Sequence, residues 1–277
     1  MTGFLNLDKE EGMTSAFAVN KLKRLTRTPC GHMGTLDPLA SGVLPVGVGN
    51  ATRLFNYFVE KKKTYRARFR FGATTATLDG EAEVIYGGSV PSVREIEDAL
   101  PALTGRLLQV PPLYSAKSVN GKRGYELARA GEAFDLPPKE VEVFSFRLIA
   151  QTAPDEFSFE IVCGGGTYIR SLARDLAAAL GTQGYMSGLR RTASGIFTEE
   201  NAVKPSLLTA ENVGEFLIPT EIVLPYPRLE ISDPRLYNGL KLPCDREDGL
   251  YKLFDGEKFY GLARVEKGYV GTEKKLC

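Results

Sequence analysis

Chemistry in this chain concentrates on two short stretches. The first, Cys30-Gly31-His32-Met33-Gly34-Thr35-Leu36-Asp37-Pro38-Leu39-Ala40-Ser41-Gly42, sets the only histidine and one carboxylate among glycines, with an apolar run from Val43 to Val48 directly after it. Gly31, Gly34 and Gly42 permit backbone shapes closed to other residues, and Pro38 keeps Asp37 out of the α region. The stretch therefore reads as a shaped loop rather than a helix. A carboxylate on such a loop beside a buried strand can act as a nucleophile or a base. Asp-Pro is also a common turn dipeptide, in which the carboxylate bonds its own backbone. The second stretch is Gly164-Gly165-Gly166-Thr167-Tyr168-Ile169-Arg170. Glycines ahead of a helix could cradle a phosphate through backbone amides. Neither the Walker lysine nor the Rossmann spacing accompanies them, which excludes a nucleotide-cofactor site.

The elements that must position these stretches are legible from periodicity. Gly3 to Leu7 reads as a strand. Thr14 or Ser15 can cap a helix through about Arg27, with Ala18, Leu22 and Leu25 on its apolar face. Lys21, Lys23, Arg24 and Arg27 lie on or next to it, just ahead of Asp37, and suit phosphate contacts. Val43 to Val48 predicts a buried strand, and Leu54, Phe55 and Phe58 have helical spacing. From Thr64 to Phe71, Tyr65, Ala67, Phe69 and Phe71 alternate with Arg66, Arg68 and Arg70, so one face is apolar and the other a stripe of cations, solvent-facing or RNA-facing. Ser92 with Glu95 forms a capping-box pattern for a helix to about Leu103, with Val93, Ile96 and Ala99 inward. Val141 to Leu148 and Phe157 to Cys163 read as strands, and Ile169, Leu172, Leu176 and Leu180 as the inner face of a helix stopped by Gly181. Gly184 to Phe197 reads as a further strand. Pro219, Pro225 and Pro227 suggest a linker, followed by strand-like runs at Tyr251 to Phe254, Lys258 to Val265 and Tyr269 to Gly271.

Composition bounds the function. At 277 residues and 43% hydrophobic content the chain can bury one large domain, or one plus a small one. No segment is apolar for long enough to cross a membrane, and the N-terminus lacks a basic region followed by an apolar core, so a cytoplasmic protein is expected. Cys30, Cys163, Cys244 and Cys277 form no Cys-x-x-Cys pair, and neither a zinc site nor a disulfide framework is expected. The net charge of +1 hides an asymmetry: residues 1 to 75 hold 12 Lys and Arg against 5 Asp and Glu. Such a patch could meet phosphates or be a solvated face. The passage from Gln109 to Gly131 interleaves Tyr114 and Tyr125 with Lys117, Lys122, Arg123 and Arg129, a mixture suited to single-stranded nucleic acid or to an ordinary surface loop.

Gly31-His32-Met33-Gly34-Thr35-Leu36-Asp37-Pro38-Leu39-Ala40-Ser41-Gly42-Val43-Leu44 resembles the signature of the TruB-type tRNA pseudouridine synthases, relatives of dyskerin. Lys63-Thr64-Tyr65, Pro111-Pro112-Leu113-Tyr114-Ser115-Ala116-Lys117, Gly166-Thr167-Tyr168-Ile169-Arg170 and Leu189-Arg190-Arg191 resemble further family motifs, in the family's order. The resemblance implies that Asp37 is the essential catalytic residue, that Arg170 pairs with it, and that Tyr65 lies against the target uracil. It also implies that Leu189 lines the uracil pocket, that Tyr168 belongs to the site, and that Asp79 holds a recurring acidic position. By the same resemblance His32 fills the space left by the extruded nucleotide, and Lys117 belongs to an insertion, about 111–137, that grips RNA. Two departures stand out: Met33 where threonine is frequent, and Thr75-Ala76-Thr77 where relatives usually carry Thr-Asp-Thr.

The implied fold is α+β, a mixed and mostly antiparallel sheet flanked by helices over 1–225, with a small β-rich PUA-like RNA-binding domain over 228–277. The implied reaction turns uridine into pseudouridine in the T loop of tRNA, at the position conventionally numbered 55. It cuts N1 from the ribose, turns the base and joins C5 to the same sugar carbon, and needs no metal, nucleotide or redox cofactor. A monomer acting on the tRNA T-arm, away from membranes, is expected. One alternative is a non-catalytic RNA-binding or tRNA-folding module on the same scaffold. Another is a glycosidase using Asp37 as nucleophile, for which no motif supplies a second carboxylate as acid.

Overall fold

The computed structural model describes residues 1–57, 62–114, 118–119, 122–123 and 136–276. Its main sheet carries nine strands. In chain order these are β1 (Gly3–Lys9), β2 (Cys30–His32), β3 (Ser41–Val48) and β4 (Lys63–Phe71), then, after a hairpin of β5 (Ala73–Thr75) and β6 (Val84–Tyr86), β7 (Gly105–Gln109). A small hairpin of β8 (Ser118–Val119) and β9 (Lys122–Arg123) precedes β10 (Lys139–Ala153), β11 (Glu156–Cys163), β12 (Gly184–Ser194) and β13 (Phe197–Thr198). The spatial order is β1-β3-β12-β4-β11-β10-β7, with β2 on β3 and β13 on β12. Every pairing is antiparallel except one. β3 and β12 run parallel and touch in register only at Ser41 with Arg190 and Gly42 with Arg191, a narrow seam in the middle of the sheet.

Helices cover one face. Thr14 accepts a hydrogen bond from the Phe17 N–H at 3.0 Å and caps α1 (Ser15–Thr26), which buries Ala18 and Leu22 completely. The capping box of Ser92 and Glu95 opens α2 (Val93–Ala99), followed by a 3-10 turn at Leu100–Leu103. Ile96 and Leu100, four apart, form its inner edge, and Val93, expected inward, is instead exposed in the first turn. α3 (Ile169–Ala179) buries Ile169, Leu172 and Leu176. Phe69, Phe146 and Phe159 meet under these helices with ring centroids 4.8 to 6.2 Å apart. The segment with Leu54 and Phe55 is a 3-10 helix, Gly49–Tyr57, and Phe58 falls outside the described residues.

The alternation on β4 is realised: Tyr65, Ala67, Phe69 and Phe71 are buried, and the arginines face the other way. There they meet acids of neighbouring strands and turns. Arg70 approaches Glu156 at 3.3 Å and Arg66 approaches Glu199 at 3.7 Å, while Arg190 bonds both Asp8 and Glu199. Exposed pairs of this kind are worth about 0 to 1 kcal/mol each, but they engage Arg66 and Arg70 of the stripe.

The C-terminal region is a five-stranded sheet of β14 (Arg228–Glu230), β15 (Leu242–Pro243), β16 (Gly249–Asp255), β17 (Lys258–Glu266) and β18 (Tyr269–Lys275), in the order β14-β16-β17-β18-β15. The Pro219 to Pro227 region is not an exposed tether. Val223 and Leu224 are buried in one apolar cluster with Phe4 and Leu54 from the large sheet's side and Leu262 and Leu276 from the small one. Tyr57 completes the joint, donating to Glu273 at 3.0 Å and accepting from the Tyr226 hydroxyl at 2.6 Å through its carbonyl.

Candidate active site

Asp37 lies on the loop between β2 and β3, and almost every residue of that loop is tied down. Ser15 Oγ donates to the Leu36 carbonyl at 2.8 Å and accepts from its N–H at 2.9 Å. The Pro38 carbonyl accepts from the Gly12 N–H at 2.9 Å and from Lys9 Nζ at 3.2 Å, and Glu81 accepts from the Leu39 N–H at 3.1 Å. Gly42 closes the loop at φ +100°, where a Cβ would stand 2.2 Å from the Arg191 carbonyl, so only glycine fits the seam.

Arg170 reaches Asp37 from the first turn of α3. The chain before that helix is clasped by Gln109, whose Oε1 accepts from the Tyr168 N–H at 2.8 Å while its Nε2 donates to the Tyr168 carbonyl at 3.1 Å. The guanidinium, 5% exposed, uses all its nitrogens. Nε stands 3.0 Å from Asp37 Oδ2, Nη1 stands 3.3 Å from Asp79 Oδ2 and donates to the Thr77 carbonyl at 3.0 Å, and Nη2 donates to the Tyr114 carbonyl at 3.1 Å. Asp79 is itself fixed by Thr77 Oγ1 at 2.6 Å and by the Glu81 N–H at 3.1 Å. Ala76, in place of the expected aspartate, is exposed, so the carboxylate that bonds Arg170 from this turn is Asp79.

The electrostatics are finely opposed. Burial pushes the Asp37 carboxyl above its ordinary value, Arg170 and Lys9 pull it down, and Asp79 pushes it up. Its side chain nevertheless keeps 34% exposure, against 2% for Asp79, so Asp37 is the acid open to the cleft and Asp79 the one sealed behind it. Tyr65 is driven up to about 12 by burial, against the nearby charge of Arg191, and its phenol is neutral at ordinary pH.

Asp37, Tyr65, Asp79, Tyr168, Arg170 and Leu189 all line one cleft of about 680 Å³, which the glycine-rich turn at Gly166 and the Met186 side chain complete. A cleft of that size admits a nucleotide. Leu189 serves two ends, packing against the core while facing the cleft. His32 sits on β2 behind the rim and is not among the lining residues. Burial and the Arg191 charge hold its pKa down, and its Nδ1 is buried without a hydrogen-bond partner among the described residues. Lys117 lies outside the described residues.

Three residues escaped the sequence reading. Lys9 lies in the charged run Asp8-Lys9-Glu10-Glu11, yet it is fully buried and its Nζ donates to the carbonyls of Met13, Glu10 and Pro38 at 2.5 to 3.2 Å. Its signal was the strand alternation that puts it on one face with Leu5 and Leu7. Glu81 lines the cleft and holds the Leu39 amide. Arg191 belongs to the Leu189-Arg190-Arg191 motif, but its burial to 1% exposure and its reach to the Asp37 loop from β12 were not foreseen.

A carboxylate open to a cleft and gripped by a buried arginine, on a mixed sheet with a parallel seam, agrees with what the resemblance to the pseudouridine synthases implies. The chain belongs to the TruB family. The model described as TruB family pseudouridylate synthase (N terminal domain) matches residues 23–169, and the tRNA pseudouridylate synthase B C-terminal domain matches 170–224. A tRNA pseudouridine synthase B of Caulobacter vibrioides is 37% identical over 292 residues, covering 97% of this chain and 94% of that one. The like-named protein of Anaplasma marginale is 45% identical over 228 residues, covering 80% and 74%. Among solved structures, one described as a Cbf5-Nop10-Gar1 complex superposes with a TM-score of 0.72 at 25% identity, covering 99% of this chain and 85% of that one.

Proposed function

We propose that this protein isomerises uridine to pseudouridine in the T loop of tRNA, at the position conventionally numbered 55. The observation that carries the proposal is the Asp37 carboxylate, exposed to a nucleotide-sized cleft while Arg170 Nε holds it at 3.0 Å. Burial alone would favour the protonated acid, and a guanidinium within bonding distance partly offsets it in favour of the ionised, nucleophilic form. The relatives are tRNA pseudouridine synthases B, which supports the substrate class.

The uridine leaves its stack to enter, at a cost of a few kcal/mol that contacts elsewhere on the RNA offset. Asp37 then attacks either C6 of the ring or the sugar carbon; both routes split the isomerisation into covalent steps. Tyr65 offers a ring face for the base and a neutral hydroxyl. Arg170 keeps Asp37 aimed, and Leu189 and Met186 close the pocket against water. Atoms balance without any cofactor, since the N1–C1′ bond broken is replaced by C5–C1′ and the C5 proton moves to solvent as N1 gains one. We read residues 1–225 as the catalytic module and the sheet over 228–277 as a PUA-like RNA contact, the whole acting as a monomer on the T-arm in the cytoplasm. No described helix is long and apolar enough to cross a membrane.

Incubation with a T-arm transcript, followed by mapping of the modified uridine, tests this. Conversion of one T-loop uridine is expected, and its absence under conditions where the RNA binds would favour a folding module. Free uracil as product would favour a glycosidase.

A further inference from the structure

The residue that joins both ends of the Asp37 loop also lines the cleft and carries a charge that acts on Tyr65, yet no step has been assigned to it. Among the described residues Arg191 is the largest side chain buried to below 2% exposure. A cation there is costly unless its donors are satisfied, and they reach two backbone carbonyls as well as the Tyr65 phenol. Nε donates to Val43 at 2.6 Å and Nη2 to Gly34 at 3.1 Å. Those two carbonyls stand on either side of Asp37, one at the entry to the loop and one at the start of β3. Arg191 is also the register partner of Tyr65 on β4 and of Gly42 across the seam, so one side chain is referenced to three strands.

We propose that Arg191 is a positioning residue for the isomerisation, clamping the two ends of the nucleophile's loop so that Asp37 stays fixed relative to Tyr65. The other ties to the loop act from single sides: Ser15 and Lys9 from α1 and β1, Glu81 from the turn after β5. The fork of a guanidinium is what allows two carbonyls in different directions to share one group, and an ammonium offers no such plane. Misplacement of a reacting group by about 1 Å can cost about a hundredfold in rate.

This rests on the reading of Asp37 as nucleophile, and the experiment separates the two. Arg191→Lys and Arg191→Ala are compared with the intact chain for turnover of a T-arm transcript, for thermal midpoint and for amide hydrogen exchange at residues 34–40, the last without RNA. Expected are a fall in kcat of about tenfold to a hundredfold for Arg191→Lys with KM within about twofold, and faster exchange confined to the loop. Added guanidinium ion should recover part of the rate of Arg191→Ala where sodium chloride at equal ionic strength does not. An unchanged kcat, or a loss that tracks the thermal midpoint and shows no rescue, overturns the proposal. Unaltered exchange at 34–40 overturns it whatever the enzyme's substrate, whereas an intact chain that converts no uridine overturns the functional reading alone.

Discussion

Replacing Arg170 by lysine keeps the charge beside Asp37 and removes the geometry. The native guanidinium makes contacts in four directions: to Asp37 at 3.0 Å, to Asp79 at 3.3 Å, and to the carbonyls of Thr77 and Tyr114 at 3.0 and 3.1 Å. An ammonium projects its donors from a single nitrogen and cannot span carboxylates on two loops. Asp79 is the buried partner, at 2% side-chain exposure against 34% for Asp37, so the substituted ammonium settles on Asp79 and the bond to Asp37 is the one lost. A hydrogen bond to a charged group is worth roughly 1.5 to 3 kcal/mol. At about 1.4 kcal/mol per tenfold, the chemical step of Arg170→Lys should slow by roughly tenfold to 150-fold. RNA affinity should hardly change, because phosphate contacts lie elsewhere. The assay is release of tritium from uridine C5 with enzyme in excess over RNA, which isolates one turnover, alongside a filter-binding titration. A single-turnover rate within about twofold of the unsubstituted protein would remove Arg170 from the mechanism.

Asp37→Asn should abolish tritium release while leaving RNA binding and the thermal midpoint near their original values; retained turnover would exclude Asp37 as nucleophile. Since burial raises the Asp37 pKa and Asp79 raises it further, turnover should fall with decreasing pH at a value above that of a free aspartate. Asp79→Asn removes one raising charge and should shift that acid limb to lower pH in a kcat profile, and a shift upward would contradict the electrostatics. Lys9 is depressed from 10.5 to about 8, chiefly by burial. Between those values the unfolded chain binds the proton that the folded chain has released, so this lysine makes unfolding free energy rise with pH across that window. Lys9→Met should flatten the rise in denaturant titrations at about pH 8 and about pH 10, and an unchanged slope would count against the burial of its amine. Truncation after Pro227 should lower the thermal midpoint as well as RNA affinity, because it strips Leu262 and Leu276 from the cluster that buries Phe4 and Leu54; an unaltered midpoint would show that the small sheet is dispensable to the large one.

What the sequence disclosed and what it withheld divide along a physical line. The cap at Thr14, the capping box at Ser92 and the alternation of β4 depend on residues within a few positions of each other, and they were readable. The motif resemblance added the pairing of Asp37 with Arg170, which no spacing could have given. Arg191 and the joint around Val223 and Leu224 depend on strands brought together from opposite ends of the chain. Prolines at 219, 225 and 227 read as a linker because proline disrupts regular structure, but Pro219 instead leads into a helical turn over Thr220–Val223 that buries Val223. The burial of Lys9 and Arg191 escapes a sequence reading for a related reason: a cation can lie inside only where enough oxygen acceptors surround it, and these come from distant segments.

The parallel seam also says something about how the molecule comes into being. Its two register contacts and the Arg191 bonds connect residues about 150 positions apart, the Arg191 to Val43 link spanning 148. Links of such high contact order close late, after hairpins such as β10 with β11 have zipped locally. On that ground a partly refolded chain already rich in strand is expected to lack the Arg191 bonds that hold the ends of the Asp37 loop.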